Sequence, residues 1–311
     1  GDVYKRQIIM RMGMIIIYFR FLINTIQTMR FILFFLLSAF VPFSLSDCKA
    51  AKNSSKIVIA GGSLTEIVYF LEQEEKIIGV DITSNYPQET SDLPSIGYVR
   101  GLSTEGILSL KPSLILGEDD MGPPLVIEQL SITGLDVRIL EENHSSSGIL
   151  YKIECLAEIL DTRSESTLDK INLVKADINY LNTLAEVNRR SEIKVMLILN
   201  MQGTSPIVAG SGTSGDGFIK MTGARNAANQ FEGWKPISSE AIIAYNPDYI
   251  IITNRAMSSF PDIQSLANTT SLRLTNAAIN GKILSEDGMA MLGFGTRTVS
   301  TAIQFAKTFS N

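Results

Sequence analysis

The sequence predicts an α/β protein built as two Rossmann-like lobes joined by a long connector helix. Three observations carry this expectation: strand and helix signals alternate from Lys56 onward, helical periodicity runs from Gly148 to Arg190, and a helix–strand segment recurs 135 residues apart, from Glu105 to Glu240. The organisation that follows is residues 1–50 for a leading scar and secretory signal, 56–147 for an N-terminal lobe, 148–190 for the connector and 191–311 for a C-terminal lobe.

Composition frames the elements. A chain of 311 residues, 45% hydrophobic and 19% charged, has the length of two ordinary domains and the make-up of a packed globule. Its net charge of −5, with no Lys/Arg block outside the N-terminus, argues against a nucleic-acid binder. At the N-terminus, Gly1 to Gln7 reads as a scar, whereas Met29-Arg30 followed by the apolar run Phe31 to Val41 reads as a secretory signal cleaved after Ser46 or Ala50. A membrane anchor fits less well, because Arg20, Asn24, Gln27 and Arg30 interrupt the stretch from Ile15 to Val41. The two cysteines add little: a chain cut after Ala50 loses Cys48, keeps Cys155 and has no disulfide framework. Leu45-Ser46-Asp47-Cys48 loosely matches a lipoprotein cleavage box, but an Asp before the Cys disfavours that processing, so the periplasm without a lipid anchor is expected.

Along the first lobe, Ile57 to Ala60 is a short buried-strand run. Gly61-Gly62-Ser63 then turns into a helix from Leu64 to Leu71, with Ser63 as N-cap and Glu66 completing a capping box. Ile77 to Val80, Leu114 to Leu116 and Val137 to Leu140 repeat the strand signal, separated by helical runs at Thr104 to Leu110 and Pro124 to Ile132. A mostly parallel sheet follows. In such sheets ligands sit beyond the carboxyl ends of the strands, so the loops 81–87, 97–102, 117–123 and 141–147 are expected to line one crevice. Apolar residues at helical spacing from Ile149 to Val187, broken near Asp161 to Ser166, predict one helix, a short break and a longer helix. A second α/β unit begins near Ile193. The repeat pairs Ser103 to Leu116 with Ser238 to Ile251, in which hydroxyl, Glu, apolar pair, Pro and strand fall in register. Glu105 and Glu240 thus stand at helix starts, where the helix dipole favours an acid.

Candidate chemistry concentrates in Gly97-Tyr98-Val99-Arg100-Gly101. A phenolate oxygen is a hard ligand suited to ferric iron, and ionising a free tyrosine at neutral pH costs roughly 4 kcal/mol, so a Tyr ligand needs a neighbouring cation as well as the metal. Arg100 is a permanent cation two residues away. On spacing alone a strand-end tyrosine beside a solvated arginine is the plainer reading. The single histidine, His144, falls in a predicted cleft loop and is a minor candidate for a sixth iron ligand or a propionate neighbour; one histidine cannot build a multi-His zinc site. Gly210-Ser211-Gly212-Thr213-Ser214-Gly215 fits the dinucleotide fingerprint literally, but a glycine turn closing near a ligand explains it as well. Gly61-Gly62-Ser63 lacks the second glycine of a nucleophile elbow.

Read together and in order, Gly61 to Tyr69, Ile96 to Gly106, Gly122 to Pro124, Val208 to Ser214, Gly223 to Ala228 and Leu292 to Arg297 make the chain resemble the periplasmic haem-binding proteins of haem-uptake ABC transporters, within the cobalamin- and siderophore-binding superfamily. The match runs from Ile57 to the C-terminus. The resemblance implies a class III periplasmic binding protein fold, with haem b held as cargo in an interlobe cleft and no catalysed reaction. It implies Tyr98 as axial iron ligand, Arg100 as its neighbouring cation and Arg255 as a second arginine from the other lobe. Glu105 and Glu240 would dock on the arginines of an inner-membrane permease dimer, and the protein would act as a monomer. The runner-up is a siderophore or cobalamin binder of the same fold; a more distant alternative is a secreted nucleotide-using α/β enzyme built on the Gly210 loop.

Overall fold

Strand β1 (Ile57–Ala60) is buried along its whole length, as its unbroken apolar sequence requires of a central parallel strand. In the computed structural model, which describes residues 48–202 and 205–310, it pairs in parallel with β2 (Ile77–Val80) and β3 (Leu114–Glu118), and β3 pairs in parallel with β4 (Asp136–Leu140). The order is β2-β1-β3-β4. Between these strands run α1 (Gly62–Phe70), α2 (Thr104–Ser109) and α3 (Pro124–Ser131). Two longer helices follow, α4 (Ser146–Ile159) and α5 (Glu165–Ser191), capped by Ser145 and Ser164 and broken where the periodicity lapses.

The second sheet is mixed. β5 (Lys194–Gln202) pairs in parallel with β9 (Tyr249–Thr253) and the short β7 (Arg225–Asn226), and antiparallel with β6 (Ser205–Ala209); β10 (Ile283–Glu286) and β8 (Trp234–Pro236) form the edges. Its helices are α6 (Ser214–Met221), α7 (Ser239–Tyr245), α8 (Asn254–Met257), α9 (Ile263–Ala267), α10 (Asn276–Ile279), α11 (Gly288–Leu292) and α12 (Thr296–Ser310). The repeat seen in the sequence is structural: α2 and β3 recur as α7 and β9 at the same 135-residue offset from Glu105 to Glu240.

Alternation along the strands sorts the core into layers, because successive side chains point to opposite faces. Ile57 and Ile59 of β1, Val195 and Leu197 of β5, and Tyr249 and Ile251 of β9 enter one cluster with α4, α5 and α12. Their sequence neighbours Val58 and Ala60 face a second cluster under α2 and α3, and Met196, Ile198, Ile250 and Ile252 a third. One apolar layer therefore serves both sheets. Asn188, fully buried on α5, secures that layer by donating to the carbonyls of Thr222 (2.8 Å) and Ala306 (2.9 Å).

Two local expectations are corrected. Cys48 and Cys155 form a disulfide, so Cys155 is not a lone thiol, and Ala51 N–H donates to the Ile159 carbonyl at 2.9 Å beside it. Sequence spacing cannot reveal a bridge whose partners lie 107 residues apart. The capping box also fails to form: α1 starts two residues early, with Gly61 as N-cap, so Ser63 lies inside the first turn. Its hydroxyl donates to Glu118, and Glu66 turns to Arg297 instead of back to the helix start.

Candidate functional site

The carboxyl ends of the first sheet's strands carry four loops, and each contributes to one cavity of about 180 Å³: Thr83, then Tyr98 to Arg100, then Glu118 and Asp120, then Glu142. The opposite wall is Ser214 at the start of α6, with Met289, Leu292 and Gly293. Backbone hydrogen bonds stitch the loops together. Ile82 N–H donates to Gly97 O at 2.9 Å, Gly122 N–H to Val99 O at 2.9 Å and Leu102 N–H to Gly122 O at 2.9 Å. Tyr98 thus stands on a braced loop, 45% exposed, while Ile82 on the loop bonded to it and Leu125 in the first turn of α3 are 63% and 61% exposed.

Arg100 is not a free cation. Its Nε and Nη2 donate to one oxygen of Asp120 at 3.1 and 2.9 Å. Partial burial works to lower the Arg100 pKa, but Asp120 and then Tyr98 beside it carry the net shift upward. Burial raises Asp120 above its ordinary value against the pull of Arg100.

Glu118, which lines the cavity, belongs to a buried polar cluster. Lys152 of α4 is fully buried, and its Nζ donates to Glu118 Oε1 at 2.6 Å and to Ser63 Oγ at 3.0 Å. Burial pushes the Glu118 carboxyl up, with Lys152 opposing. A buried ammonium is tolerated only when paired and hydrogen-bonded in this way. Sequence reading passed over it, although Lys152 interrupts the apolar stripe Ile149, Ile153, Leu156.

The other predicted residues lie elsewhere. Arg255 is exposed on α8, just past β9, and does not line the cavity. His144 packs its ring 5.0 Å from that of Phe294, with Nε2 3.4 Å from a Glu142 oxygen, and is also absent from the cavity lining. Glu105 and Glu240 are both exposed in the first turns of α2 and α7, where Ser103 and Ser238 cap the helices by accepting from Gly106 and Ala241. Hydrogen bonds from its own backbone N–H and from Ser238 hold the Glu240 pKa below the ordinary value. The Gly210 turn opens α6, with the Thr213 hydroxyl accepting from Asp216 N–H, and brings Ser214 to the cavity.

Comparison with known proteins adds four findings. The model of the periplasmic binding protein family matches residues 57–288. The chain is 29% identical over 214 residues to the uncharacterized ABC transporter substrate-binding lipoprotein YvrC of Bacillus subtilis, covering 68% of this chain and 67% of the relative. It is 24% identical over 208 residues to the vitamin B12-binding protein of Yersinia pestis, covering 65% and 71%. Among solved structures, the periplasmic heme-binding protein RhuT from Roseiflexus sp. RS-1 superposes with a TM-score of 0.73 at 30% identity, over 83% of this chain and 98% of that one.

Proposed function

This chain belongs to the periplasmic binding protein family, and we propose that it captures ferric haem at the Tyr98 cavity and delivers it to an inner-membrane ABC importer, catalysing no reaction itself. One observation carries the reading: an exposed phenol beside a guanidinium, both lining the cavity, with Ile82 and Leu125 exposed on the adjoining segments of chain. Tyr98 supplies the axial phenolate and Arg100 offsets its charge while still held by Asp120. Arg255 from the second half takes a propionate, and His144 keeps its packing role. Pockets for ligands of this size run to about 300–1,000 Å³. The 180 Å³ cavity is therefore the floor of the site, and the macrocycle lies over it against the apolar rim. Burying that rim contributes about 25 cal/mol per Å².

Glu105 and Glu240, exposed at equivalent helix starts, dock on the permease dimer. The paired Cys48 and Cys155 fit an oxidising compartment such as the periplasm, and a lipid anchor on Cys48 would need the thiol that the bridge consumes.

A corrinoid is the second reading, favoured by the carboxylates of Glu118, Asp120 and Glu142 around the cavity, which suit amide hydrogens as partners. Competitive titration separates the two. Hemin should saturate the protein and resist displacement by a tenfold excess of cyanocobalamin; preferential cyanocobalamin binding would replace the haem reading with the corrinoid one.

A further inference from the structure

Two of the sequence segments that carry the family resemblance, Gly61 to Glu66 and Leu292 to Arg297, have no part in gripping the iron, yet they meet each other. Glu66 reaches from α1 into the corner between α11 and α12, its side chain only 3% exposed. There Arg297 donates to Glu66 Oε1 from Nε at 3.1 Å and from Nη2 at 2.6 Å, and to Asp287 Oδ1 from Nη1 at 3.2 Å. The same guanidinium lies 3.9 Å over the ring of Tyr86, on a loop of the first half. Backbone approach is as close as the side-chain pairing. A Cβ on Gly295 would stand 3.1 Å from Glu66 Oε2 and 3.4 Å from Ser63 Cα, and one on Gly62 would stand 2.6 Å from the Met289 methyl.

This contact sits directly behind the cavity on both sides. Gly62 lines the cavity one helical turn before Glu66, and Gly293, which ends α11, lines it four residues before Arg297 at the start of α12. Any rotation that changes the gap between the halves at the cavity must therefore strain or break the ion pair, and a broken pair leaves a buried carboxylate without its counter-charge. Asp287 alone cannot replace Glu66, because it lies on the same half as Arg297.

We propose that these two segments form one joint between the halves, in which Arg297 is the positioning residue that sets how far they stand apart and thereby how long the cargo is held. The proposal rests on the haem reading for its cargo, but the joint itself does not. Glu66 and Arg297 touch neither the iron ligand nor the apolar rim, so they act through geometry alone.

The test compares wild type with Arg297→Gln, Glu66→Gln and the conservative Arg297→Lys, well below their melting temperatures. Hemin release is followed by transfer to excess apomyoglobin, and the radius of gyration of the ligand-free protein by small-angle scattering. Arg297→Gln and Glu66→Gln should release hemin about tenfold faster with little change in association rate, with an unchanged iron spectrum and a larger radius of gyration. Arg297→Lys, which keeps the charge, should fall between them and wild type and serves as the readout if either Gln variant fails to fold. Release rates and radii equal to wild type in every folded variant would overturn the proposal. If wild type does not bind hemin, the haem reading fails, and the scattering comparison alone decides the joint.

Discussion

Lys152→Met keeps the length of the side chain and its place beside Ile149 and Ile153 but removes an ammonium that is fully buried and bonded to Glu118 and Ser63. Taking one partner from a buried ion pair costs about 3–5 kcal/mol. Protonation of Glu118 caps that cost. Bringing a carboxyl from its ordinary value of 4.5 to neutrality at pH 7 costs about 3 kcal/mol at 1.36 kcal/mol per unit, so a loss of about 3 kcal/mol is expected. Without Lys152 the folded-state pKa of Glu118 stands further above its unfolded value. The penalty is thus absent below the unfolded value and grows as pH rises toward the folded one, leaving under about 1 kcal/mol at pH 5. Adding Glu118→Gln should return most of the loss, because a neutral amide needs no counter-charge and still accepts from Ser63. Urea unfolding of wild type and both variants, followed by Trp234 fluorescence at pH 5 and pH 7, measures these differences. A Lys152→Met loss that is equal at the two pH values, or below about 1 kcal/mol at pH 7, would refute the reasoning.

Three further outcomes are expected. Reducing the Cys48–Cys155 bridge, which closes a 107-residue loop, or changing Cys155 to Ala should cost about 2–4 kcal/mol in thermal or urea melts, and the intact mass of exported protein should include Cys48. Asp216 is buried, which works to raise its pKa, but Lys220, Asn226 and the Gly212 N–H outweigh burial and hold it below the ordinary 3.8; Asp216→Asn should therefore cost about 1–2 kcal/mol at pH 7, a difference that shrinks as pH falls below 3.8 in paired melts. Glu105→Ala with Glu240→Ala should bind hemin like wild type yet fail in vesicle transport with the cognate importer, since removing rim charges weakens docking without touching the cleft; normal transport would reduce both acids to helix-start residues.

Local periodicity made most of the fold legible. The strands from Ile57 to Leu140, the break between α4 and α5 and the repeat at Glu105 and Glu240 all follow from apolar spacing and turn residues. The four loops of the cavity were legible for the same reason, since a parallel sheet presents its loops at one end. What stayed hidden depends on pairings distant in sequence. Cys48 meets Cys155, Lys152 meets Glu118, and Glu66 meets Arg297 across 231 positions. No local rule couples such residues, and the capping box was misread because Arg297, far down the chain, competes for Glu66. The antiparallel β5–β6 pair was likewise outside the parallel pattern that the first half suggests.

The central claim is that Tyr98 grips ferric haem, and the visible spectrum of the protein mixed with hemin, wild type beside Tyr98→Phe, tests it most directly. Wild type should give a high-spin ferric spectrum with phenolate charge-transfer features, and Tyr98→Phe should lose those features while remaining folded, because only the hydroxyl of a 45% exposed side chain is removed. An identical spectrum from the two proteins would contradict the account and take Tyr98 out of the site.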